Sequence, residues 1–424
     1  MTHTITALHG IQVLDSRGRP TVCARMVLSD GSVHKATVPS GASTGRHEAK
    51  ELRDEGTKFS ERFFSGSSVH QAVWNINNVI APVLIGSVPE IESVDAHLIA
   101  IDGSPRHEAI GANASLAVSL AGAIAQAHSN KVSLARLLHP TGPLAMPMPM
   151  VNILSGGAHA QGALDIQDVL VIAHGAKNIA EALRWISSIR ECATREGAAR
   201  GFITNLVADE GGLGIAFAST DAACAFVVDC INLVGLSPES QVSLALDVAA
   251  TQFFEQGNYI SRSSGKVHSA QQWSDQLLSL INSQPIISIE DPFAEDDWQH
   301  WSAFTAQVNE SIQIIGDDLF TTQLNRLTKG IEEKSANSIL IKPNQNGLVS
   351  KSFEVLAQAK AAGFSTVVSA RSGESEDSWL ADLALGWGAG QIKVGSTHGS
   401  ERTAKWNRLL EIEATEETVF SKPF

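Results

Sequence analysis

Three short apolar runs in the second half of the chain end in an acid: "VSLALD" at Asp247, "PIISIE" at Glu290 and "IQIIGD" at Asp317. Two further runs carry a lysine, "SILIK" at Lys342 and "GQIKV" at Lys393. If these runs are neighbouring strands, three carboxylates meet at one rim, where each raises the pKa of the others until a positive charge intervenes. A hard divalent cation with oxygen ligands resolves that conflict, and Mg²⁺ is the expected ion. The plainer reading has each acid capping the following helix or pairing with a nearby base; three in succession, followed by two lysines, weigh against it. Two ammonium groups at the same rim disfavour one another's charge. That predicts a lysine pKa lowered toward the range in which a lysine takes a proton from carbon.

Weaker signals surround these. "VADEGG" sets Asp209 and Glu210 in a glycine-terminated loop, which by itself is an ordinary turn. "SGGAHAQGALDIQD" supplies His159, Gln167 and Asp168, and a lone histidine is more often structural than catalytic. "TVVSARSGESED" passes from an apolar run through Ala370 to Arg371 and Ser372. That pair offers a fork of donors and a hydroxyl suited to a phosphate or carboxylate, unless Arg371 is simply a surface arginine.

The elements that must position these groups alternate in type. The apolar runs, "STVVSARS" included, are separated by helical stretches such as "SAQQWSDQLLSLIN" and "SKSFEVLAQAKAAG". Fully apolar strands between helices predict a parallel sheet covered on both faces. A polar residue at the carboxyl end of every strand predicts a closed barrel with its active site at that rim. Upstream, "GIQVLDSRG" and "TVCARMVLSDGSVHKATV" read as strands turning at Asp30-Gly31. A glycine-rich loop, "PSGASTGRHEAKELRD", and helices including "GANASLAVSLAGAIAQAHS" follow. The prolines from Pro140 to Pro149 mark the boundary. The expected fold is therefore α/β, with an α+β N-terminal capping domain over 1–138 and a TIM-like barrel over 139–424.

At 424 residues, 43% of them hydrophobic, the chain can build a large core. A net charge of −14, with no run of lysines or arginines, excludes nucleic acid and anionic membrane as expected partners. An anionic substrate would need local arginine, lysine or metal to overcome that field. Cys23, Cys192, Cys224 and Cys230 show no metal or redox spacing and read as buried thiols. The most apolar helical stretch is broken by Asn113, Ser115 and Ser119, and the N-terminus has no apolar leader, so a cytoplasmic location is expected.

Together the motifs "DSRGRPTV", "PSGASTG", "GANA", "SGGAHA", "DEGG", "ALDVAA", "SIEDPFAEDDW", "GDDL", "IKPNQNG", "RSGESED" and "GQIKVGS" resemble those of the enolases, in the same order, from about residue 10 to 415. The resemblance implies an N-terminal domain capping a barrel in which an early strand runs antiparallel, and a homodimer or larger homo-oligomer. It implies a phosphopyruvate hydratase of glycolysis, a lyase that dehydrates 2-phosphoglycerate. Asp247, Glu290 and Asp317 would hold one Mg²⁺. A second, bound with substrate, would be closed over through Ser43. Lys342 would take the C2 proton, Lys393 would steady the enolate, and Glu210 would assist departure of the C3 hydroxide. Arg371 and Ser372 would bind phosphate, with His159 closing from its loop and Gln167 and Asp168 nearby. The general scheme, a lysine or histidine base with one or two Mg²⁺ holding the ene-diolate, is an established pattern for such sites.

The chain departs from the resemblance at a few positions. Ala370 stands where the enolases carry histidine, Asp168 where they carry glutamate, Ser155 where they carry asparagine, and Gln252 where they carry glutamate. The missing histidine and the shortened acid lie on the side where the hydroxyl leaves. The expected alternatives are a specialised paralogue acting on a 2-phosphoglycerate analogue, such as a phosphonate or a larger C3 substituent, and a non-catalytic binding protein.

Overall fold

The computed structural model describes residues 3–261, 264–308 and 310–422. Strands β1 (Ile5–Leu14), β2 (Pro20–Leu28) and β3 (Val33–Thr37) form an antiparallel meander. Its first turn is closed by Asp15, whose Oδ1 accepts from the backbone N–H of Arg17 and Arg19 at 2.8 and 2.9 Å. The second is the Asp30-Gly31 turn expected from the sequence, with Gly31 at φ +83°. Helix α1 (Ala112–Ser129) packs on β2 and β3. Its polar interruptions are ties rather than breaks. Asn113 Nδ2 donates to the Leu52 carbonyl at 3.0 Å, and Ser119 Oγ accepts from the Val349 N–H at 3.0 Å, joining this unit to the barrel side. Among the described residues no helix is long and apolar enough to cross a membrane.

The rest is an α/β barrel of eight strands: β4 (Met148–Ser155), β5 (Asp168–Ile172), β6 (Ser243–Asp247), β7 (Ile286–Glu290), β8 (Gln313–Gly316), β9 (Ser338–Ile341), β10 (Ser365–Ser369) and β11 (Gln391–Lys393). The last six are the runs identified in the sequence. The proline-rich stretch does not stay outside regular structure, because Pro149 lies near the start of β4 opposite Ile392 of β11. Proline lacks only a donor, and its φ suits extended backbone.

Strand β5 runs antiparallel to both neighbours. Reversal puts its first residue, Asp168, at the rim where the other strands end, in register with Ser155 of β4 and Asp247 of β6. Met148, Met150, Leu170, Ile172, Ala245, Ile315, Leu340 and Val367 fill the barrel interior. Burial of such side chains contributes about 1.5–3 kcal/mol each, which lets the fold tolerate a rim crowded with charge.

Candidate active site

The strand-end acids and lysines interleave at the rim. Lys393 Nζ lies 2.7 Å from Asp247 Oδ2 and 2.6 Å from Glu290 Oε2. Lys342 Nζ pairs with Asp317 Oδ2, whose other oxygen accepts from Gln345 Nε2 at 2.8 Å. All are buried. The lowered lysine pKa expected from ammonium repulsion is not found. Burial alone would push Lys342 down, but Asp317 and Glu290 outweigh it and hold the ammonium above its usual range. Lys393 is likewise raised, by Asp247, Glu290 and Glu210 against its burial. The carboxylates outnumber the lysines and stand between them.

These acids fit a hard cation. Burial, then Asp247, pushes Glu290 well above the usual carboxylate range. Its Oε1 is buried without a hydrogen-bond partner among the described residues, a costly state that a divalent ion would relieve. Among the described residues Asp247, Glu290 and Asp317 do not all bring ligand atoms within 4.8 Å of one another: Lys393 Nζ bridges the first two and Lys342 Nζ pairs with the third. Among the described residues, the groups of three whose ligand atoms all lie within 4.8 Å of one another are Asp291, Asp317 and Asp318, and His159, Asp168 and Glu210. Asp291 is an anchor for the rim: its two oxygens accept the backbone N–H of Asp317 and Asp318, both at 2.8 Å.

Arg371 is buried, not a surface arginine. Its guanidinium forks onto Glu48, with Nη1 3.1 Å from Oε2 and Nη2 3.1 Å from Oε1, and it also donates to Asn344 Oδ1 and the Ser43 carbonyl. Ser372 Oγ accepts from the Ala42 N–H at 2.6 Å. The glycine-rich loop therefore lies closed on the anion donors, and Ser43 reaches them through its carbonyl. Gly41 makes this possible, since a Cβ there would sit 2.1 Å from Arg371 Nη2. The far end of the loop is pinned by Glu295, which accepts the Arg46 N–H at 2.8 Å, and by Asp296 against His47 at 3.0 Å.

His159 pairs with two acids. Its Nδ1 is 2.9 Å from Asp168 Oδ2, and its Nε2 is 3.6 Å from Glu210 Oε1. Burial would lower the imidazole, but Asp168 and Glu210 prevail and raise its pKa to about 9. Burial would raise Glu210, but His159, Arg402, Lys393 and Lys342 hold it below the usual range. Gln167 Nε2 donates to Asp247 Oδ2 at 2.9 Å and its Oε1 accepts from Gln252. Arg402, buried in the last helix, α2 (Ser400–Thr415), donates to the carbonyls of Arg371, Ser372, Val394 and Asp209, tying the anion corner to the Glu210 loop.

Sequence reasoning missed Glu48, Gln345, Asn152 and Arg402. A cue existed for Gln345, three residues beyond Lys342 on the one-turn helix Pro343–Asn346. No local cue pairs Glu48 with Arg371. Two family models match the chain: one described as the enolase C-terminal TIM barrel domain over residues 143–421, the other as the enolase N-terminal domain over residues 5–138. With a closed barrel containing one reversed strand, and acids and lysines alternating at its rim, the chain belongs to the enolase family.

Proposed function

We propose that this enolase-family lyase dehydrates 2-phosphoglycerate to phosphoenolpyruvate with Mg²⁺. The observation that carries this reading is the pairing of Lys342 and Lys393 with Asp317, Asp247 and Glu290 beside a Glu290 oxygen that has no hydrogen-bond partner among the described residues. Asp247, Glu290 and Asp317 would hold the first Mg²⁺, and Ser43 the second with substrate. Mg²⁺ bound there would supply the positive charge that steadies an enolate, and Asp247, Glu290 and Asp317, engaged with it, would no longer hold the lysines protonated. Lys342 Nζ receives the C2 proton, and Lys393 keeps a positive charge beside the enolate oxygens. Arg371 and Ser372 bind phosphate once Ser43 and Ala42 yield their places, and Glu210 faces the departing C3 hydroxyl.

Purified protein with Mg²⁺ and 2-phosphoglycerate should form phosphoenolpyruvate and exchange the C2 proton with solvent deuterium. Absence of both reactions would falsify this reading. A second reading, turnover of an analogue such as a phosphonate or a molecule larger at C3, is favoured by Ala370, which puts only a buried methyl beside Arg371. Under that reading C2 exchange proceeds while elimination is slow, and Ala370→His raises elimination; no rise would count against it.

A further inference from the structure

The leaving-group side holds a buried polar chain that the roles above leave partly unused. Ser155 closes β4 and Asp168 opens β5 as its cross-strand partner. Ser155 Oγ donates to Asp168 Oδ1 at 2.6 Å, and Asp168 Oδ2 holds His159 Nδ1 at 2.9 Å. Both Ser155 and Asp168 are 0% exposed. The Ser155 hydroxyl is also confined by the Glu210 loop, since a Cβ on Gly212 would lie 2.3 Å from it. With Nδ1 fixed in this way, Nε2 is left facing Glu210 Oε1 at 3.6 Å, while Glu210 Oε2 accepts from Asn152 Nδ2 at 3.1 Å. That Nε2 contact is too long for a hydrogen bond, and a side-chain shift of about half an ångström would close it.

We propose that Ser155 and Asp168 are positioning residues that fix the His159 imidazole as the proton supply of Glu210, so that His159 serves the leaving group rather than the phosphate. The proposal rests on the lyase reading. Asp168, Glu210 and Asp247 face His159; Arg402, Lys393, Lys342 and His159 face Glu210. These charges keep the proton on the imidazole, so Glu210 alone has none to give. As the C3–O bond breaks, the oxygen leaves with the bonding pair and takes a proton relayed from His159 Nε2 through Glu210, departing as water. The enolate pair becomes the C2=C3 double bond, and the neutral imidazole regains its proton from solvent.

Steady-state kinetics and C2 exchange on Ser155→Ala and Asp168→Asn test this. We expect dehydration kcat to fall about 100-fold in Asp168→Asn and about 10-fold in Ser155→Ala, with KM and C2 exchange within about threefold of wild type. A raised KM with kcat intact would return His159 to phosphate binding, and equal losses of exchange and dehydration would show a collapsed site; either overturns the proposal. If Asp168→Asn does not fold, Ser155→Ala carries the comparison. A wild type that neither exchanges nor dehydrates sinks the lyase reading instead. Imidazole ¹H–¹⁵N spectra then decide the inference without substrate: a doubly protonated His159 at about pH 7, with a midpoint displaced in Ser155→Ala and lowered in Glu210→Gln, supports it. A neutral ring, or a midpoint unmoved in either variant, refutes it.

Discussion

Replacing Lys393 by methionine removes a charge while keeping most of the stem. The ammonium bridges Asp247 and Glu290 at 2.7 and 2.6 Å, and the three side chains are only 6%, 2% and 2% exposed. Two oxygens held by one nitrogen at those distances are at most about 5 Å apart, where like charges repel by about 3 kcal/mol at an effective dielectric near 20. Removing one member of a buried ion pair typically costs about 3–5 kcal/mol, in agreement. A cooperative unfolding of 424 residues converts this to a loss of about 1 °C per kcal/mol, or about 3–5 °C in Tm at neutral pH. The sign with pH follows from Glu290. Burial and Asp247 already hold its folded pKa above the unfolded value, and loss of Lys393 raises it further, so the folded state binds the proton more tightly. The variant's deficit should therefore shrink on acidification and grow as pH rises beyond the usual carboxylate range, through the raised pKa of Glu290. Mg²⁺ at about 100 times its Kd would return about 2.7 kcal/mol, and more effectively in the variant, where no ammonium competes for the oxygens. Calorimetry with and without Mg²⁺ at acidic and neutral pH reads all three effects. An unchanged or higher Tm at neutral pH without Mg²⁺ would refute the reasoning.

Gly41→Ala places a Cβ 2.1 Å from Arg371 Nη2 and 2.6 Å from the Ser43 carbonyl, so the loop cannot dock as it does. Faster tryptic cleavage at Arg46 and a fall in kcat/KM of about 10- to 100-fold are expected, and unchanged values in both assays would show that the closed loop is dispensable. The raised pKa of His159, about 9, predicts a stability term fully present below its unfolded value near 6.5 and lost as pH rises through 9. Its size is about 3 kcal/mol, and Asp168→Asn should flatten that arm of the Tm–pH curve.

The fully buried parallel strands were legible because each is a continuous apolar run that stops at a charge. Strands β4 and β5 were not. Prolines interrupt the first, and the reversal of the second moves its polar residues from the end to the beginning, where they read as loop. Asp247, Glu290, Asp317, Lys342 and Lys393 were legible as a group sharing one rim, but their charge balance was not. Counting two ammonium groups suggested mutual repulsion, whereas the geometry gives each lysine its own carboxylates. The Glu48–Arg371 fork joins residues 323 positions apart, and sequence periodicity carries no information at that range. His159 was found as a candidate, but its pairing with Asp168 and Glu210 was not legible, because the Ser155–Asp168 register that sets it joins two strands through a reversal.

Arg402 also bears on the order in which the protein is made. The carbonyls it holds belong to residues emerging as far back as Asp209, yet the guanidinium itself arrives only with the last helix. A chain that stops before that point lacks the guanidinium that joins the Arg371 and Ser372 carbonyls to that of Asp209. The anion corner and the Glu210 loop, far apart along the chain, are thereby tied by a group that only the final helix supplies.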